Sequence, residues 1–452
     1  MCVLELLEKN SSAKTVCGII EDAGYSAYAV GGCVRDALMG TEPNDVDITT
    51  SADPAAVHAL FEKNGIKTID TGIKHGTVTV LYNNECFEVT TMRTESGYAD
   101  MRHPEAVVFV RNIEEDLARR DFTINAMAYS YKEKSIIDIY GGREDLAQRR
   151  IRCVGDPQMR FDEDALRIMR ALRFSARLGF DIEPLTLAAM RRCKNNLNAV
   201  SSERIYKELS GILCACDAGR VIRDYSDILS VIIPELDRCR GFDQHSKYHI
   251  YDVLTHISYV VENTPAVPYL RYAALFHDIG KPGTFFLDSE GEGHFYYHAQ
   301  LSHEIARQTL DRLKCDNETK KKVLYLVKHH DTPLPEDSIL IKKRISRIGA
   351  ELFFDLATIA EADCKAQSPD VLYRLDKYTE IKNTASDILK KGNCLQRKDL
   401  AIDGTDIMDM GVKEGKTVGH VLSVLLSEVI DEKIPNERSE LTLRAKQIID
   451  ES

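Results

Sequence analysis

The sequence lacks tryptophan, a basic excess and any apolar run of about 18 residues, the length at which a membrane-spanning helix is expected. Its 59 Lys and Arg against 71 Asp and Glu give a formal net charge of -12, which excludes a generally basic, histone-like nucleic-acid binder. An enzyme with a local basic groove remains compatible with that charge. The N-terminal segment has a short apolar run but no basic n-region and no clear cleavage site, so we interpret it as a mature N-terminus.

Signatures of zinc ribbons and of common nucleotide-binding loops are also missing. None of the 12 Cys forms a C-x2-C pair, and the closest two are Cys214 and Cys216. Scattered Cys in a long chain are typical of reduced, mostly buried thiols, so we expect a cytoplasmic protein. Neither a G-x4-G-K-[ST] loop nor a G-x-G-x-x-G fingerprint occurs, which argues against P-loop and Rossmann sites.

The chain of 452 residues is too long for one ordinary core, so we expect about two to four packed units. The residue pattern predicts an α+β protein, with a mixed α/β head at 1–148 followed by helical segments at 149–240, 241–370 and 371–452. Residues 149–207 hold 13 Lys and Arg against 7 Asp and Glu, a local charge of +6. We expect a polyanion to bind there, and a solvated helix face is the alternative.

The elements predicted in the head have recognisable stops. One helix is predicted over 1–24, ended by Gly24, and another over 55–64, ended by Gly65. Asn83-Asn84 is a hairpin turn signal between two β-rich runs. The predicted strands are 28–30, 46–50, 77–82, 86–92 and 106–110.

Two carboxylates two residues apart mark this head. Asp45 and Asp47 lie in a predicted strand, where side chains i and i+2 share one face. Together they can hold Mg²⁺, which prefers one or two carboxylates plus substrate phosphates. Just upstream, Gly31-Gly32 lets backbone N–H groups approach phosphate oxygens, and Arg35 adds a bidentate donor. The combination predicts a triphosphate held against Mg²⁺ for nucleotidyl transfer.

Several segments form an ordered set: 27–36 (AYAVGGCVRD), 44–49 (NDVDIT), 87–93 (FEVTTMR), 119–126 (RRDFTINA), 161–180 (FDEDALRIMRALRFSARLGF), 203–208 (ERIYKE) and 394–436. In order and spacing the set resembles the class II tRNA nucleotidyltransferases and their poly(A) polymerase relatives, within the polymerase-β-like superfamily. The resemblance runs from about residue 20 to the end of the chain. It implies a polymerase-β-like head with a mixed sheet, followed by a mostly α-helical neck and a helical tail.

The same resemblance implies the site residues. Asp45 and Asp47 would bind the catalytic Mg²⁺, with Glu88 on a strand as the candidate third carboxylate. Two metals would activate the RNA 3′-hydroxyl and stabilise the departing pyrophosphate. The implied nucleotide-binding residues are Gly32, Arg35, Arg120, Asp164, Arg167, Arg170 and Arg173.

Asp164 and Arg167 lie three residues apart in a predicted helix and so share one face. Cytosine and adenine present an amino donor beside a ring-nitrogen acceptor, whereas uracil and guanine present the reverse order. A carboxylate accepts from the amino group and a guanidinium donates to the ring nitrogen, so this pair can accept C or A and reject U or G. The resemblance assigns the pair this role, and an ordinary ion pair is the alternative.

The remaining polar residues near this helix receive different roles. In a straight helix Arg173 lies roughly 180° around the axis from Asp164, so we expect it to contact a phosphate or to brace neighbouring helices. Arg170 is the stronger nucleotide-site candidate, and Arg120 is expected to touch the ribose or the phosphates. Arg119 is assigned a surface position, and Phe122 and Asn125 are assigned structural roles.

Residues 93–104 (RTESGYADMRHP) are polar, and Gly97 is a candidate hinge. We expect a flexible loop in this segment. The resemblance implies that such a loop helps the site to move from C addition to A addition. A complete CCA-adding enzyme is therefore favoured over one that stops after CC.

Residues 240–370 hold nine of the 13 His. The order H…HD…H…D resembles an HD-domain phosphohydrolase, so the body after the neck is expected to be an HD domain. The resemblance implies a second divalent metal, Mn, Ni, Co or Fe, held by His256, His277, Asp278 and Asp363. His303 and His329 are expected to extend that site toward a further metal, and the other candidates are His249, His294, His298 and His330. The alternative is a scaffold that binds RNA.

The leading interpretation is a Mg²⁺-dependent, template-independent enzyme that adds C, C and A to the 3′ end of tRNA from ATP and CTP. The tRNA would be held by its acceptor stem and 3′ end, on the basic segment and the tail, without an obligate protein partner or a membrane. The alternatives are an A-adding enzyme, a poly(A) polymerase and an HD-type phosphohydrolase acting on RNA or nucleotides. The first two share the head motifs, so the motifs separate them poorly.

Overall fold

The computed structural model describes residues 3–72, 76–98 and 104–451. The chain forms two compact units, Met1–Pro234 and Glu235–Ser452, called here the first and the second unit. The finer division at 148, 240 and 370 stays a prediction. In the described part of the chain, no helix is long and apolar enough to cross a membrane.

The first unit contains a mixed β-sheet and a two-stranded ribbon. The strands from the N-terminus are β1 Ala27–Val30, β2 Asp47–Thr50, β3 Lys67–Gly72, β4 Thr77–Tyr82, β5 Glu85–Thr91, β6 Arg93–Tyr98, β7 Pro104–Phe109, β8 Ala128–Ser130 and β9 Ser135–Ile137. Seven of them form one sheet in the order β3-β4-β5-β2-β1-β8-β9, in which β2 and β5 are parallel and the other neighbours are antiparallel. Strands β6 and β7 pair with each other in a separate two-stranded ribbon.

Helices cover this sheet and continue beyond it. Those of the first unit are α1 Val3–Lys9, α2 Ser11–Asp22, α3 Gly32–Leu38, α4 Pro54–Lys63, α5 Ile113–Ala118, α6 Gly142–Ala147, α7 Pro157–Glu163, α8 Leu166–Leu178, α9 Pro184–Cys193, α10 Ser202–Leu213, α11 Ala218–Asp224 and α12 Ser226–Leu229. Two short parallel strands, β10 Arg150–Ile151 and β11 Asp181–Ile182, lie among the later helices. The predicted α+β class is confirmed.

The sheet is held by an apolar core on the side of α2 and α4. Val78 and Val80 of β4 and Val89 of β5 are fully buried, together with Phe61 of α4. Burying each such side chain contributes about 1.5–3 kcal/mol. The core holds the central strands of the sheet in place. The end of β1 and the start of β2 therefore have fixed positions next to each other.

Local signals explain which predictions for the head were right. The hairpin between β4 and β5 is confirmed: Asn83 and Asn84 both have positive φ, 51° and 62°, as the favoured two-residue turn requires. The single helix over 1–24 was wrong. Asn10 interrupts it because its side-chain oxygen accepts from the backbone N–H of Ala13 at 2.8 Å and caps the start of α2.

The second unit is almost entirely helical. Its helices are α13 Glu235–Cys239, α14 Val253–Asn263, α15 Pro268–Phe276, α16 Lys281–Thr284, α17 His298–Arg312, α18 Asn317–His329, α19 Ser338–Ile348, α20 Ala350–Lys365, α21 Arg374–Lys390, α22 Gly404–Asp409, α23 Gly415–Ile430 and α24 Arg438–Asp450. A short hairpin joins β12 Phe286–Leu287 to β13 Gly293–His294. Helices α14, α15, α18 and α20 pack on one another, whereas α22, α23 and α24 enclose a separate apolar core.

Candidate active site

A cleft of about 490 Å³ lies within the first unit, between the ends of the central strands β1 and β2 and helices α8 and α10. All seven residues predicted to bind nucleotide line it: Gly32, Arg35, Arg120, Asp164, Arg167, Arg170 and Arg173. Asp47 also lines the cleft, and the sequence prediction missed the lining residues Asp121, Arg177 and Arg204. The structure therefore brings together side chains from segments far apart in the sequence.

Of the two predicted carboxylates, Asp47 lies in a strand and Asp45 lies before it. Asp47 is the first residue of β2 and pairs with Val30, the last residue of β1. Asp45 precedes the strand, so the expectation that both carboxylates lie in one strand was wrong. Desolvation and the like charge of Glu88 raise the pKa of Asp47, Arg120 opposes this, and Asp45 adds to it. Glu88 and Asp45 thus both act electrostatically on Asp47.

These three carboxylates do not form a tight set of ligands. In the described residues, two groups of at least three His, Cys, Asp or Glu have ligand atoms within 4.8 Å of one another, and both groups lie in the second unit. Asp45 and Glu88 are exposed and do not line the cleft. Asp47 is the carboxylate that links this negative patch to the cleft.

The glycine turn between β1 and α3 lies against an arginine. Gly31 has φ +77° and ψ -127°, a conformation that an L side chain rarely adopts. A Cβ added at Gly31 would lie 3.1 Å from Nη1 of Arg120. Glycine is therefore needed here both for the backbone conformation and for the close approach of the guanidinium.

Arg35 is buried below the same turn. Its Nε donates to Oδ1 of Asp36 at 2.8 Å, and its Nη1 donates to Oδ1 of Asn125 at 2.7 Å. Asn125 lines the cleft and holds this guanidinium in place. Phe122 is fully buried, edge-on to Phe174 at 5.8 Å, in agreement with its structural interpretation.

A buried carboxylate anchors two neighbouring arginines. Asp116 accepts from Arg119 Nη2 at 2.7 Å and from Arg120 Nη2 at 3.1 Å. Burial alone would raise the pKa of Asp116, but the two guanidinium groups lower it. The surface role predicted for Arg119 was wrong, because this side chain lines the cleft and its carbonyl accepts from Arg167.

Asp164 lies at a break between two helices. Helix α7 ends at Glu163, Asp164 has φ -143° and ψ 102°, and α8 begins at Leu166. Oδ1 of Asp164 accepts from the backbone N–H of Leu166 at 3.0 Å, which stabilises the start of α8. The prediction that Asp164 and Arg167 share one helix face was therefore wrong.

Each of the two proposed base-reading residues is paired with another charged side chain. Arg204 of α10 donates to Asp164 through Nη2 at 2.7 Å and Nη1 at 3.4 Å. Arg167 donates through Nη1 to Oε2 of Glu163 at 2.5 Å. Both partners lie in segments that carry the family resemblance, Glu163 in 161–180 and Arg204 in 203–208, and this could have pointed to them.

Arg170 and Arg173 also have carboxylate partners. Arg170 contacts buried Asp121 at 2.6 Å, and this guanidinium lowers the pKa of Asp121 although burial would raise it. Arg173 donates through Nε to Glu208 at 2.5 Å. Arg173 lines the same cleft as Asp164, so the expected separation around a straight helix was wrong. The break before α8 invalidates that angular argument.

The polar segment after β5 is more ordered than expected. Residues 93–98 form β6, paired with β7 in a ribbon, so a flexible loop over these residues was wrong. Residues 99–103 lie outside the described part of the chain. The role of this segment in the change from C to A addition stays a prediction.

The four His and Asp residues predicted as metal ligands converge in the second unit. Nε2 of His256 lies 3.3 Å from Nε2 of His277, 3.3 Å from Oδ2 of Asp278 and 2.9 Å from Oδ1 of Asp363. Nε2 of His277 lies 3.3 Å from Oδ2 of Asp278. Both His residues and Asp278 are buried, so this cluster is a carboxylate and imidazole site able to bind a metal.

The prediction for the extension of that site was wrong. His303 and His329 line a different cavity, of about 810 Å³, with lysines of α18. His298 and His330 instead face the other oxygen of Asp278, at 3.2 Å and 3.4 Å from Oδ1. His298 and His330 were among the other candidate ligands, but their spacing in the sequence did not distinguish them from His303 and His329.

The ends of β1 and β2 carry the glycine turn and Asp47, and both line a cleft rich in arginine. This arrangement defines a nucleotidyltransferase. Family models match three segments: residues 27–152 the Poly A polymerase head domain, 179–239 the probable RNA and SrmB-binding site of polymerase A, and 293–444 a putative tRNA nucleotidyltransferase domain 2. The CCA-adding enzyme of Leuconostoc citreum is 36% identical, and the match covers 100% of this chain and 99% of the relative. That of Latilactobacillus sakei is 33% identical over 94% and 95% of the two chains. The chain belongs to the family of CCA-adding enzymes.

Solved structures agree with this assignment. The Bacillus stearothermophilus CCA-adding enzyme in complex with CTP has a TM-score of 0.75 and 28% identity, and the match covers 98% of each chain. The Thermotoga maritima CCA-adding enzyme complexed with tRNA has a TM-score of 0.56 and 20% identity, covering 97% and 94% of the two chains. The second likeness concerns the fold alone.

Proposed function

We propose that the chain adds C, C and A to the 3′ end of tRNA from CTP and ATP, without a nucleic-acid template and with release of pyrophosphate. Its full-length relatives are CCA-adding enzymes, and the solved relatives include one in complex with CTP. The observation that carries the proposal is the cleft in which Asp47 and Gly32 face Asp164 and Arg167. One site can thus hold the phosphates at one end and the base at the other.

The head residues fit a Mg²⁺ ion. Asp45 and Asp47 are exposed. Desolvation first, and then the like charges of Glu88 and Asp45, raise the pKa of Asp47, and a cation would relieve the repulsion between these carboxylates. We assign Asp45 and Asp47 as ligands and Glu88 as the third carboxylate. Substrate phosphates would complete the coordination, as is usual for Mg²⁺. When bound, the ion neutralises charge that develops on the phosphate oxygens during transfer.

The arginines of the cleft supply positive charge for the triphosphate. Several are held by a carboxylate, as in the pairs Arg120–Asp116, Arg170–Asp121 and Arg173–Glu208. A guanidinium carries five N–H donors, so one carboxylate contact leaves donors for phosphate oxygens. Because these pairs fix the guanidinium groups before nucleotide binds, less conformational entropy is lost on binding.

Base choice is assigned to Asp164 and Arg167. The Asp164 carboxylate accepts from the amino group of cytosine or adenine, and the Arg167 guanidinium donates to the adjacent ring nitrogen. Uracil and guanine would place a carbonyl against the carboxylate and an N–H against the guanidinium. Each mismatch sets an acceptor against an acceptor or a donor against a donor, so the wrong base loses both contacts.

The test uses a tRNA transcript that ends before CCA, with the chain and its Asp45→Ala and Asp47→Ala variants. We expect the unaltered chain to restore CCA and both variants to lose nucleotide addition while they still retard the tRNA in a gel. Glu62→Ala, at an exposed position on α4, is the matched control and should keep full activity. Retained addition by Asp47→Ala would contradict the assignment of this carboxylate.

We further propose that His256, His277, Asp278 and Asp363 bind one divalent transition metal. The ligand chemistry fits, because imidazole and carboxylate together suit Mn²⁺, Fe²⁺, Co²⁺ and Ni²⁺. Nδ1 of His277 lies 2.7 Å from the carbonyl of Ala274, to which it must donate, so Nε2 is directed at the cluster with its lone pair. Titration calorimetry of the Asp45→Ala/Asp47→Ala variant with Co²⁺ should show binding that His256→Ala abolishes.

A further inference from the structure

Eight arginines line the cleft of the first unit, and Arg177 differs from the other seven in two ways. The guanidinium groups of those seven are each paired with a carboxylate, from Arg35 with Asp36 to Arg204 with Asp164. In the part of the chain that the structure describes, no side chain forms a hydrogen bond or an ion pair with the guanidinium of Arg177. Of the eight, Arg177 alone is exposed, whereas the others are buried or half-buried.

Arg177 lies in the last turn of α8, away from the end of the helix that is proposed to choose the base. A rise of 1.5 Å per residue places its backbone about 15 Å along the axis from Arg167. Between these two positions lies Phe174, whose ring centroid is 4.6–5.5 Å from three guanidinium carbons, those of Arg35, Arg170 and Arg173. This group of positive charge suits the triphosphate, so Arg177 lies past the nucleotide residues on α8.

The missing carboxylate leaves the charge of Arg177 available to a ligand. An unpaired guanidinium keeps all five N–H donors, and phosphate oxygens match the geometry of its fork. The triphosphate already has arginines that are fixed by carboxylates, whereas the RNA strand must leave the cleft through its exposed rim. Because the whole chain has a net charge of -12, an unneutralised cation at that rim is a favourable contact for an RNA phosphate.

We propose that Arg177 binds a backbone phosphate of the tRNA 3′ strand where that strand leaves the cleft. The inference rests on the proposed function, because an enzyme that extends tRNA must bring this strand to the cleft. Arg177 then holds the RNA and neither chooses the base nor binds the triphosphate. Its removal should therefore weaken tRNA binding and leave nucleotide binding unchanged.

The experiment compares the unaltered chain with Arg177→Gln, which removes the charge. The Kd for a tRNA that ends before CCA is measured by filter binding, without nucleotide and over a range of KCl concentrations. We expect the Kd to rise about tenfold at low salt, as for a lost hydrogen bond to a charged group. The slope of log Kd against log salt should decrease by about 0.7–0.9, the value for one phosphate contact. The KM for CTP and kcat at saturating tRNA should stay the same.

Two further variants separate the charge from other effects. Arg177→Lys keeps the charge but not the fork, so it should retain the salt slope and lose less affinity. Arg143→Gln is the matched control. Arg143 is an exposed arginine of α6 that does not line the cleft, and among the described residues its guanidinium also has no partner. This control should change neither the Kd nor the slope.

Neutral methylphosphonate linkages, placed one at a time in the 3′ strand of the tRNA, locate the contact. At one linkage, the neutral group should weaken binding to the unaltered chain and cause no further loss in Arg177→Gln. An unchanged Kd for tRNA in Arg177→Gln, or a raised KM for CTP with normal tRNA binding, would overturn the inference. In both cases, CCA addition by the unaltered chain would leave the proposed function in place. No addition by the unaltered chain would overturn both.

Discussion

Arg204 binds Asp164 in a forked ion pair, with Nη2 2.7 Å from Oδ2 and Nη1 3.4 Å from Oδ1. The pair joins α10 to the break between α7 and α8, and both side chains line the cleft. Because Asp164 lies outside both helices, helical geometry does not orient its carboxylate. The forked contact supplies that orientation, so Arg204 is a positioning residue for base selection.

Replacing Arg204 by Ala should therefore weaken the choice of base. Loss of a hydrogen bond to a charged group costs about 1.5–3 kcal/mol, so kcat/KM for CTP and ATP should fall about 10- to 100-fold. The relative incorporation of U and G should rise, because the Asp164 carboxylate is no longer fixed. Steady-state rates with each single nucleotide measure both effects.

Arg191→Ala is the control for this variant. Arg191 is an exposed arginine of α9 that pairs with Asp227 and does not line the cleft. Its rates and its base choice should equal those of the unaltered chain. If Arg204→Ala keeps full discrimination against U and G, the positioning role is wrong.

The charge of Glu88 should set part of the pH dependence of nucleotide addition. Desolvation first and Glu88 second raise the pKa of Asp47, and Asp47 must be ionised to bind Mg²⁺. Activity should therefore fail, as the pH is lowered, at a higher pH than an ordinary Asp would give. Glu88→Gln removes the like charge, so the acid limb should move to lower pH while the rate falls at every pH.

Single-turnover rates across pH, at Mg²⁺ below saturation, measure that shift. The control is Glu85→Gln, on the same strand, where the carboxylate contacts Asn10 and Ser12 of the N-terminal region. This variant should leave the acid limb in place. An unmoved acid limb in Glu88→Gln would show that Glu88 does not act on Asp47.

Gly31→Ala should damage both stability and function. The positive φ of Gly31 costs a substituted residue about 1–3 kcal/mol, and the new methyl group would lie 3.1 Å from Nη1 of Arg120. We expect a loss of about 1–3 kcal/mol in the free energy of unfolding of the first unit. Nucleotide addition should be lost as well, because Arg120 is displaced. Urea unfolding and primer extension measure the two effects.

Gly65→Ala separates backbone strain from the contact with Arg120. Gly65 also has positive φ, +69°, but nothing lies within 4 Å of an added Cβ. This variant should lose about 1 kcal/mol and keep its activity. Equal loss of activity in the two variants would mean that the turn at Gly31 has no special part in the site.

Local signals made much of the head predictable from the sequence. The alternation of apolar and polar residues predicted β4 and β5, and Asn83-Asn84 predicted the turn between them. The break at Asp164 was missed because neither Gly nor Pro marks it and the apolar pattern continues across it. Asp164 accepts from the backbone N–H of Leu166 and from Arg204 of α10, and the apolar periodicity shows neither this local contact nor this long-range one.

The seven nucleotide-site residues were found because their segments resemble a known family, and the structure brings them to one cleft. Their partners were missed because an ion pair such as Arg204–Asp164 joins segments 40 residues apart. His303 was predicted to extend the metal site, but His298 of the same helix lies there instead. Five residues along a helix turn a side chain by about 140°, so these two cannot face the same centre.

The most direct test of the account uses three tRNA transcripts that end before CCA, before CA and before A. Each is incubated with the chain, Mg²⁺ and all four nucleotides, and the 3′ ends are sequenced. The account predicts that every transcript ends in CCA, with no U or G and no further addition. Addition of A alone to the transcript ending in CC, long A tails on any RNA, or no addition at all would contradict it.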